Sequence, residues 1–300
     1  MKYMKKCFKN IKFSRGIMLF IMLIFAACCI VPFLIILGSS FQSQKEILNS
    51  GYSMIPKKAT VSAYKYILSN PKSILNAYWI TILTSFITTV MGVLLSASYG
   101  YVISRKEYRY KKSLSFFIFF TMLFNGGLVP TYILISKWLN LSDTIWALIL
   151  PSLASPWYIL MLKGFFQTLP SSLIEAAKID GAGELKIFST IIIPISKPAL
   201  ATIALFYLLG SWNDWWLSML YIEKDSLVKL QYLLQRILKN IDFLNSEAAV
   251  KYSMVGSGTE IPTYSARMAM CVLATGPILM VFPFFQKHFV KGLTVGSVKG

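Results

Sequence analysis

Two short stretches carry the residue types and spacing with which this 300-residue chain could do chemistry. The first reads Glu175-Ala176-Ala177, three residues, Gly181, nine residues, then Ile191-Ile192-Ile193-Pro194. From Leu173 to Ile179 the composition favours a helix, with Ser171 or Ser172 supplying the N-cap. So short a helix does not persist alone in water and needs a surface to lie against. Ala176, Ala177, Gly181, Ala182 and Gly183 are small enough for close approach, Glu175, Lys178 and Asp180 offer charged handles, and Gly181 suits a helix stop. Composition alone fits a docking helix and an ordinary connector equally. The second stretch is Trp212-Asn213-Asp214-Trp215-Trp216. Planar indoles stack on the apolar faces of pyranose rings, while an amide and a carboxylate hydrogen-bond hydroxyls. The competing reading is an aromatic belt at a membrane surface, where Trp is expected anyway.

Covalent catalysis has no visible machinery. A single histidine, His288, excludes a multi-histidine metal site. The four cysteines, Cys7, Cys28, Cys29 and Cys271, are too few for a disulfide framework, and three lie inside apolar spans as small hydrophobes. No glycine-rich loop ends in Gly-Lys-Ser or Gly-Lys-Thr, so this chain is expected to bind no cofactor, and any driving ATP and Mg belong to another polypeptide. A membrane-embedded enzyme would need a paired acid and base at one face, and none is evident.

The elements that position these stretches follow from composition. At 56% hydrophobic and 14% charged, with mean hydropathy +0.61, the chain reads as an all-α membrane protein. A basic N-terminal segment, 1–16, carries Lys2, Lys5, Lys6, Lys9, Lys12 and Arg15 and no acid. After it, 17–300 read as one transmembrane domain with spans at about 17–37, 77–103, 114–135, 144–162, 199–221 and 266–289 and a loop at 163–197. Twenty-one apolar residues are long for a cleavable signal, so the first run reads as a span, kinked by Pro32. Asn125-Gly126-Gly127 and Pro130 should break the third span, and irregular backbone at that depth must face protein or water. Pro151 and Pro156 interrupt the fourth. Between the first two spans, Val61 to Leu68 reads as an amphipathic piece lying along the membrane face. Leu227, Leu230, Leu234, Ile237, Leu238 and Ile241 recur at helical spacing outside the fifth span, ahead of a looser Gly256-Ser257-Gly258-Thr259. With both termini inside, 18 Lys or Arg fall in cytoplasmic segments and 12 outside, the asymmetry that sets orientation. The net charge of +18 therefore reads as topogenic and not as a nucleic-acid footprint.

The Glu175 to Pro194 pattern resembles the cytoplasmic loop signature of ABC importer permeases, six positions matching at fixed spacing, with Ile193 where that family more often has Leu. The tail from Gly292 to Gly300, Phe285-Gln286-Lys287, and Ile261-Pro262-Thr263 extend the likeness over nearly the whole chain. It is nearest the polysaccharide and lipo-oligosaccharide branch of maltose-type carbohydrate importers. The resemblance implies a type I importer permease fold of six spans, in which Glu175, Ala176, Ala177, Asp180, Gly181 and Pro194 form the coupling helix region seated in an ATPase subunit. The cluster of Trp212, Asn213, Asp214 and Trp215 also looks like what carbohydrate permeases carry, which implies a substrate path there; the Asn125 segment lines the same path or only permits tight packing between helices, Asn125 itself being a membrane-depth amide that needs partners. The resemblance further implies a contact of Gly256, Ser257, Gly258 and Thr259 with an extracellular solute-binding protein. The implied partners are a second homologous permease, making a heterodimer or a homodimer, and two ATPase subunits. Oligosaccharide import is the expected activity; a non-sugar solute and an ion-coupled carrier working alone are its rivals. Carriage by ion coupling would want acids within spans, and Asp214 is the only one placed near one. The 25 Lys against 5 Arg suggest a Gram-positive cell membrane.

Overall fold

The computed structural model describes residues 2–244 and 262–296; its described residues form helices and no strands. They part into two compact units, residues 1–69 with 237–275, and residues 70–236 with 276–300. Gly256, Ser257, Gly258 and Thr259 lie outside the described residues.

The first unit begins with α1 (Lys2–Ser39), whose apolar part, Gly16–Ser39, is long enough to cross a membrane. Leu19, Phe20, Leu23 and Phe25 are all exposed there, as suits a helix facing lipid. Pro32 lies within this one helix. Two short helices follow, α2 (Gln44–Ser50) and α3 (Ser62–Ile67), the second lying within the amphipathic stretch expected there. Buried Gln42 ties the turn together, accepting from the Ser53 backbone N–H at 3.1 Å and donating to Glu46 at 3.3 Å. Gly38 is required here: a Cβ on it would lie 2.1 Å from the Met54 carbonyl oxygen, which no side-chain adjustment relieves.

The second unit is built on α4 (Pro71–Ser104), which starts six residues before the expected span. The reason is local. Asn70 accepts a hydrogen bond from the Ser73 N–H and Pro71 occupies the first turn, a capped start that hydropathy cannot see. Its inward face is small and hydroxylated, with Thr81, Thr84, Ser85, Thr88 and Ser96 buried. Thr81 and Thr84 donate back to carbonyls one turn earlier, so the helix buries them at little cost and neighbouring helices come close.

Two further spans are bent pairs, and residues 184–195 and 197–212 form a third, bent by 82°, that leads into the fifth span. The third is α5 (Lys111–Leu123) and α6 (Leu128–Ile133), the latter running on in a π-helical turn to Trp138, with a 109° bend between the halves. The break falls where Asn125-Gly126-Gly127 predicts it. Asn125 accepts from the Gly127 N–H at 2.9 Å, and Gly127 adopts φ +88°. The fourth is α7 (Ile145–Leu153) and α8 (Pro156–Gln167), bent by 44°. Here the expectation is half right: Pro151 sits inside α7, whereas Pro156 opens α8. In the loop, α9 (Ser171–Ile179) is followed by α10 (Glu184–Ile187), a π-helical turn Phe188–Ile192, and α11 (Ile193–Ile195) containing Pro194. Both Ser171 and Ser172 lie inside α9, and Pro170 holds the N-cap position with no side-chain bond, which corrects the serine-cap expectation. The fifth span, expected unbroken to Tyr221, instead stops with α12 (Lys197–Trp212) and restarts with α13 (Trp216–Tyr221). Outside it, α14 (Leu230–Leu244) carries the predicted apolar stripe from Leu230 onward, Leu227 standing before it in the short 3-10 turn Asp225–Leu227, and α15 (Thr263–Gly296) supplies the sixth span.

One side chain repairs the break in the fourth span. The Tyr207 hydroxyl, on α12, donates to the Leu153 carbonyl at 2.8 Å, accepts from the Ser155 N–H at 3.4 Å, and lies 2.8 Å from the Ser96 hydroxyl. Two backbone groups freed by the bend thus find a partner where water is absent. The ring needs room on α4, and Gly92 provides it, since a Cβ there would come within 2.7 Å of the ring. Tyr207→Phe should keep the packing, orphan both backbone groups and destabilise the helical domain by about 1–3 kcal/mol. Thermal unfolding in detergent, with Ser96→Ala as a milder comparison, checks this.

Candidate coupling and substrate-path sites

The loop between the fourth and fifth spans is held from below by an apolar cluster. Ile174 and Ala177 of α9, Ile187 of α10 and Ile192 pack with Tyr101 of α4, Phe166 of α8 and Leu200 of α12. Those contacts use one side of α9 and leave the other bare. Glu175, Ala176, Asp180 and Gly181 are all exposed, and so is Pro194. Two large apolar side chains, Ile179 and Leu185, are 87% and 85% exposed. Bare apolar groups beside small residues and charges make a contact surface awaiting cover.

Gly181 determines how α9 ends. Its φ is +77°, the Ala182 N–H donates to the Ala177 carbonyl at 2.9 Å, and the Gly181 N–H donates to the Lys178 carbonyl at 3.0 Å. This pair of bonds closes a Schellman motif, which favours glycine at its left-handed position. Nothing lies within 4 Å of a Cβ built on Gly181, so the position is conformationally demanding and sterically open. Polar contacts fasten the loop to the end of α4. Tyr101 donates to Glu184 at 2.7 Å, Lys178 lies 3.2 Å from the same carboxylate, and Arg105 lies 3.5 Å from it while also pairing with Glu107 at 3.2 Å.

The fifth-span break holds the aromatic cluster. Trp212 is buried, 5% exposed, and Trp215 is half-buried with its ring edge-on to exposed Trp216 at 5.5 Å between centroids. Asn213 is exposed and accepts from Gln231 at 3.5 Å. Asp214 is committed internally. One carboxylate oxygen accepts from the Trp216 and Leu217 N–H groups at 3.2 and 3.3 Å, capping α13. The other faces the ammonium of Lys229 at 3.4 Å. Lys229 itself is completely buried and donates to the Ser211 carbonyl at the end of α12.

A single ion pair therefore closes both broken ends, the cation at a helix C-terminus and the anion at a helix N-terminus, each where the helix dipole favours it. Burial pulls the Lys229 ammonium below its ordinary pKa, while the charge and hydrogen bond of Asp214 pull it back. Sequence reasoning missed Lys229. The signal was there, because a membrane-depth acid needs a partner and Leu227-Val228-Lys229-Leu230 sets a lone cation in apolar surroundings.

Asn125 is exposed at the third-span break and lines a cleft of about 640 Å³ with Leu95, Tyr99, Phe117, Phe124 and Pro156. The breaks in the third and fourth spans meet there, but Trp212 and Asp214 are not among its walls. The expected substrate-path residues thus occupy two separate places.

A family model described as "Binding-protein-dependent transport system inner membrane component" matches residues 112–295. The chain is 40% identical over 282 residues to the polygalacturonan/rhamnogalacturonan transport system permease protein YtcP of Bacillus subtilis, covering 93% of this chain and 96% of that one. It is 38% identical over 291 residues to protein LplC of the same bacterium, covering 97% and 94% respectively. Among solved structures, it superposes with TM-score 0.77 and 27% identity, covering 91% of this chain and 96% of the other, on a chain from a crystal structure of a bacterial ABC transporter involved in the import of the acidic polysaccharide alginate.

Proposed function

This chain belongs to the family of binding-protein-dependent transport system inner membrane components, and we propose that it forms half of a pathway by which a bacterial cell imports an oligosaccharide at the expense of ATP. It is a transmembrane permease subunit of an ABC importer and not itself an enzyme of that family. Its partners in this reading are a second, homologous permease, two ATPase subunits that hold ATP and Mg, and an extracellular solute-binding protein. Both termini lie in the cytoplasm of a Gram-positive cell, and the coupling helix is α9.

The observation that carries the reading is the exposed face of the 175–185 loop. A helix anchored on one side by buried apolar contacts, stopped by a left-handed glycine and bare on the other side, with Ile179 and Leu185 in the open, suits a rigid handle for another chain. Movement of that handle biases a two-state pore, which is the physical content of coupling. In proteoliposomes holding the four membrane and ATPase chains, uptake of labelled oligosaccharide should require ATP and the binding protein. Uptake driven by an ion gradient without ATP would instead establish the carrier reading.

The sugar contact is narrower than the aromatic sequence suggests. With Trp212 buried and Asp214 occupied, the groups free to meet a pyranose are Asn213, Trp215 and Trp216. Trp215→Ala should cost about 1 kcal/mol of saccharide interaction, near a fivefold rise in the concentration needed for half-maximal uptake, with assembly unchanged. An unaltered uptake curve would return the cluster to the interfacial aromatic belt.

A further inference from the structure

We propose that Glu184 is the positioning residue through which movement of the 175–185 loop reaches α4, with Tyr101 as its receiver. The inference rests on the coupling reading above and goes beyond it, because neither Glu184, which stands in the nine-residue spacer of the loop signature, nor Tyr101 is one of the positions that match it.

Three elements converge on one carboxylate. Tyr101, near the cytoplasmic end of α4, donates its hydroxyl at 2.7 Å. Lys178, on the docking helix α9, lies 3.2 Å away. Arg105, in the connection after α4, lies 3.5 Å away and carries its guanidinium over the Tyr101 ring at 5.7 Å. Glu107 faces the same two cations, at 3.2 Å from Arg105 and 4.0 Å from Lys178. Glu184 stands on the first turn of α10, just beyond the Gly181 stop, so it moves with the loop.

The Tyr101 ring is locked from the other sides. Its ring centroid is 5.1 Å from that of Phe188 and 6.3 Å, edge-on, from that of Phe166, and the residue is only 6% exposed. A phenol so confined cannot follow a displaced carboxylate by swinging its ring; the helix carrying it must shift. The same α4 carries Gly92 and Ser96 against Tyr207, whose hydroxyl holds the bend of the fourth span together. The loop is therefore linked by close contacts to a broken membrane helix, a contiguous route between docking surface and pore.

Ion pairs this exposed add little to stability, since Glu184 and Lys178 are roughly half exposed at their side chains. Their convergence is thus better explained by alignment than by holding the fold together. The route has a signature that a purely structural role lacks: solute moved per ATP hydrolysed. In the complete reconstituted complex, Tyr101→Phe keeps the ring and removes the hydroxyl, while Glu184→Gln removes the charge. Each should lower the transport-to-hydrolysis ratio about tenfold. The double variant should fall no further than the worse single, because both changes break one link. Glu184→Asp should recover part of the ratio. Ratios equal to that of the parent, or additive losses in the double variant, would overturn the proposal. Should Glu184→Gln fail to assemble, Tyr101→Phe alone decides by the same ratio. A parent complex that assembles without its ATPase chains would overturn the coupling reading itself, and this inference with it.

Discussion

Gly181→Trp is expected to abolish association with the ATPase chains and all ATP-driven uptake, while the protein still inserts in the membrane at normal abundance. Two separable costs produce that result. Any L side chain at φ +77° carries left-handed strain of about 1–2 kcal/mol, and Asn bears it best. A large side chain adds volume, yet within this chain nothing lies within 4 Å of the new Cβ. The space at the Cβ of position 181 is thus open, and the harm expected from added volume there is against another molecule. The series Gly181→Asn, Gly181→Ala and Gly181→Trp separates the terms: near-parental uptake for Asn, a severalfold loss for Ala, and none remaining for Trp. Co-purification of the ATPase chains, read beside membrane abundance, checks each step. Full uptake by the Trp variant would mean that the left-handed turn faces open solvent in the working complex.

The second large effect is expected at the fifth-span break. Lys229 is fully buried and Asp214 is its only acidic partner among the described residues, at 3.4 Å, with the acid's side chain 17% exposed. Removing one member of a buried pair typically costs about 3–5 kcal/mol, because the other is left uncompensated. Asp214→Ala should be the worst single change, since it also strips the cap from the Trp216 and Leu217 N–H groups. Lys229→Met should cost less, because Asp214 retains those two donors and some contact with solvent. The double variant Asp214→Asn with Lys229→Met should recover much of the loss, an apolar stem replacing the buried ammonium while Asn preserves the cap. Thermal unfolding in detergent and protease resistance of the 213–229 region measure the order. Equal, small losses in both single variants would mean that the pair is solvated and contributes little.

The sequence was most legible where backbone chemistry dictates form. Asn125-Gly126-Gly127 foretold the third-span break, because two glycines and an amide that bonds its own backbone are poor continuing helix. Gly181 foretold the stop of α9 for the same kind of reason. Hydropathy located the six apolar runs but misread their interiors. The fifth run contains no proline at residues 213–215, and its interruption depends on Asp214 capping a new helix and on Lys229, fifteen residues further along, closing the old one. Such a partnership is tertiary and leaves only a faint trace in composition. The same holds for Tyr207, an ordinary aromatic within an apolar run until Leu153, Ser155 and Ser96 gather about its hydroxyl. Trp212 illustrates the converse: its type suggested a sugar platform, whereas its place on the inner side of α12 buries it.

The most direct measurement places a photo-crosslinking amino acid at Ile179, the most exposed apolar side chain of the loop, and irradiates membranes containing the complete transporter. The coupling account predicts a strong adduct with a separate ATPase chain, formed from the cytoplasmic side and lost in Gly181→Trp. Adducts only with lipid or with an extracellular binding protein would contradict it, because the surface on which the whole reading depends would then face the wrong way.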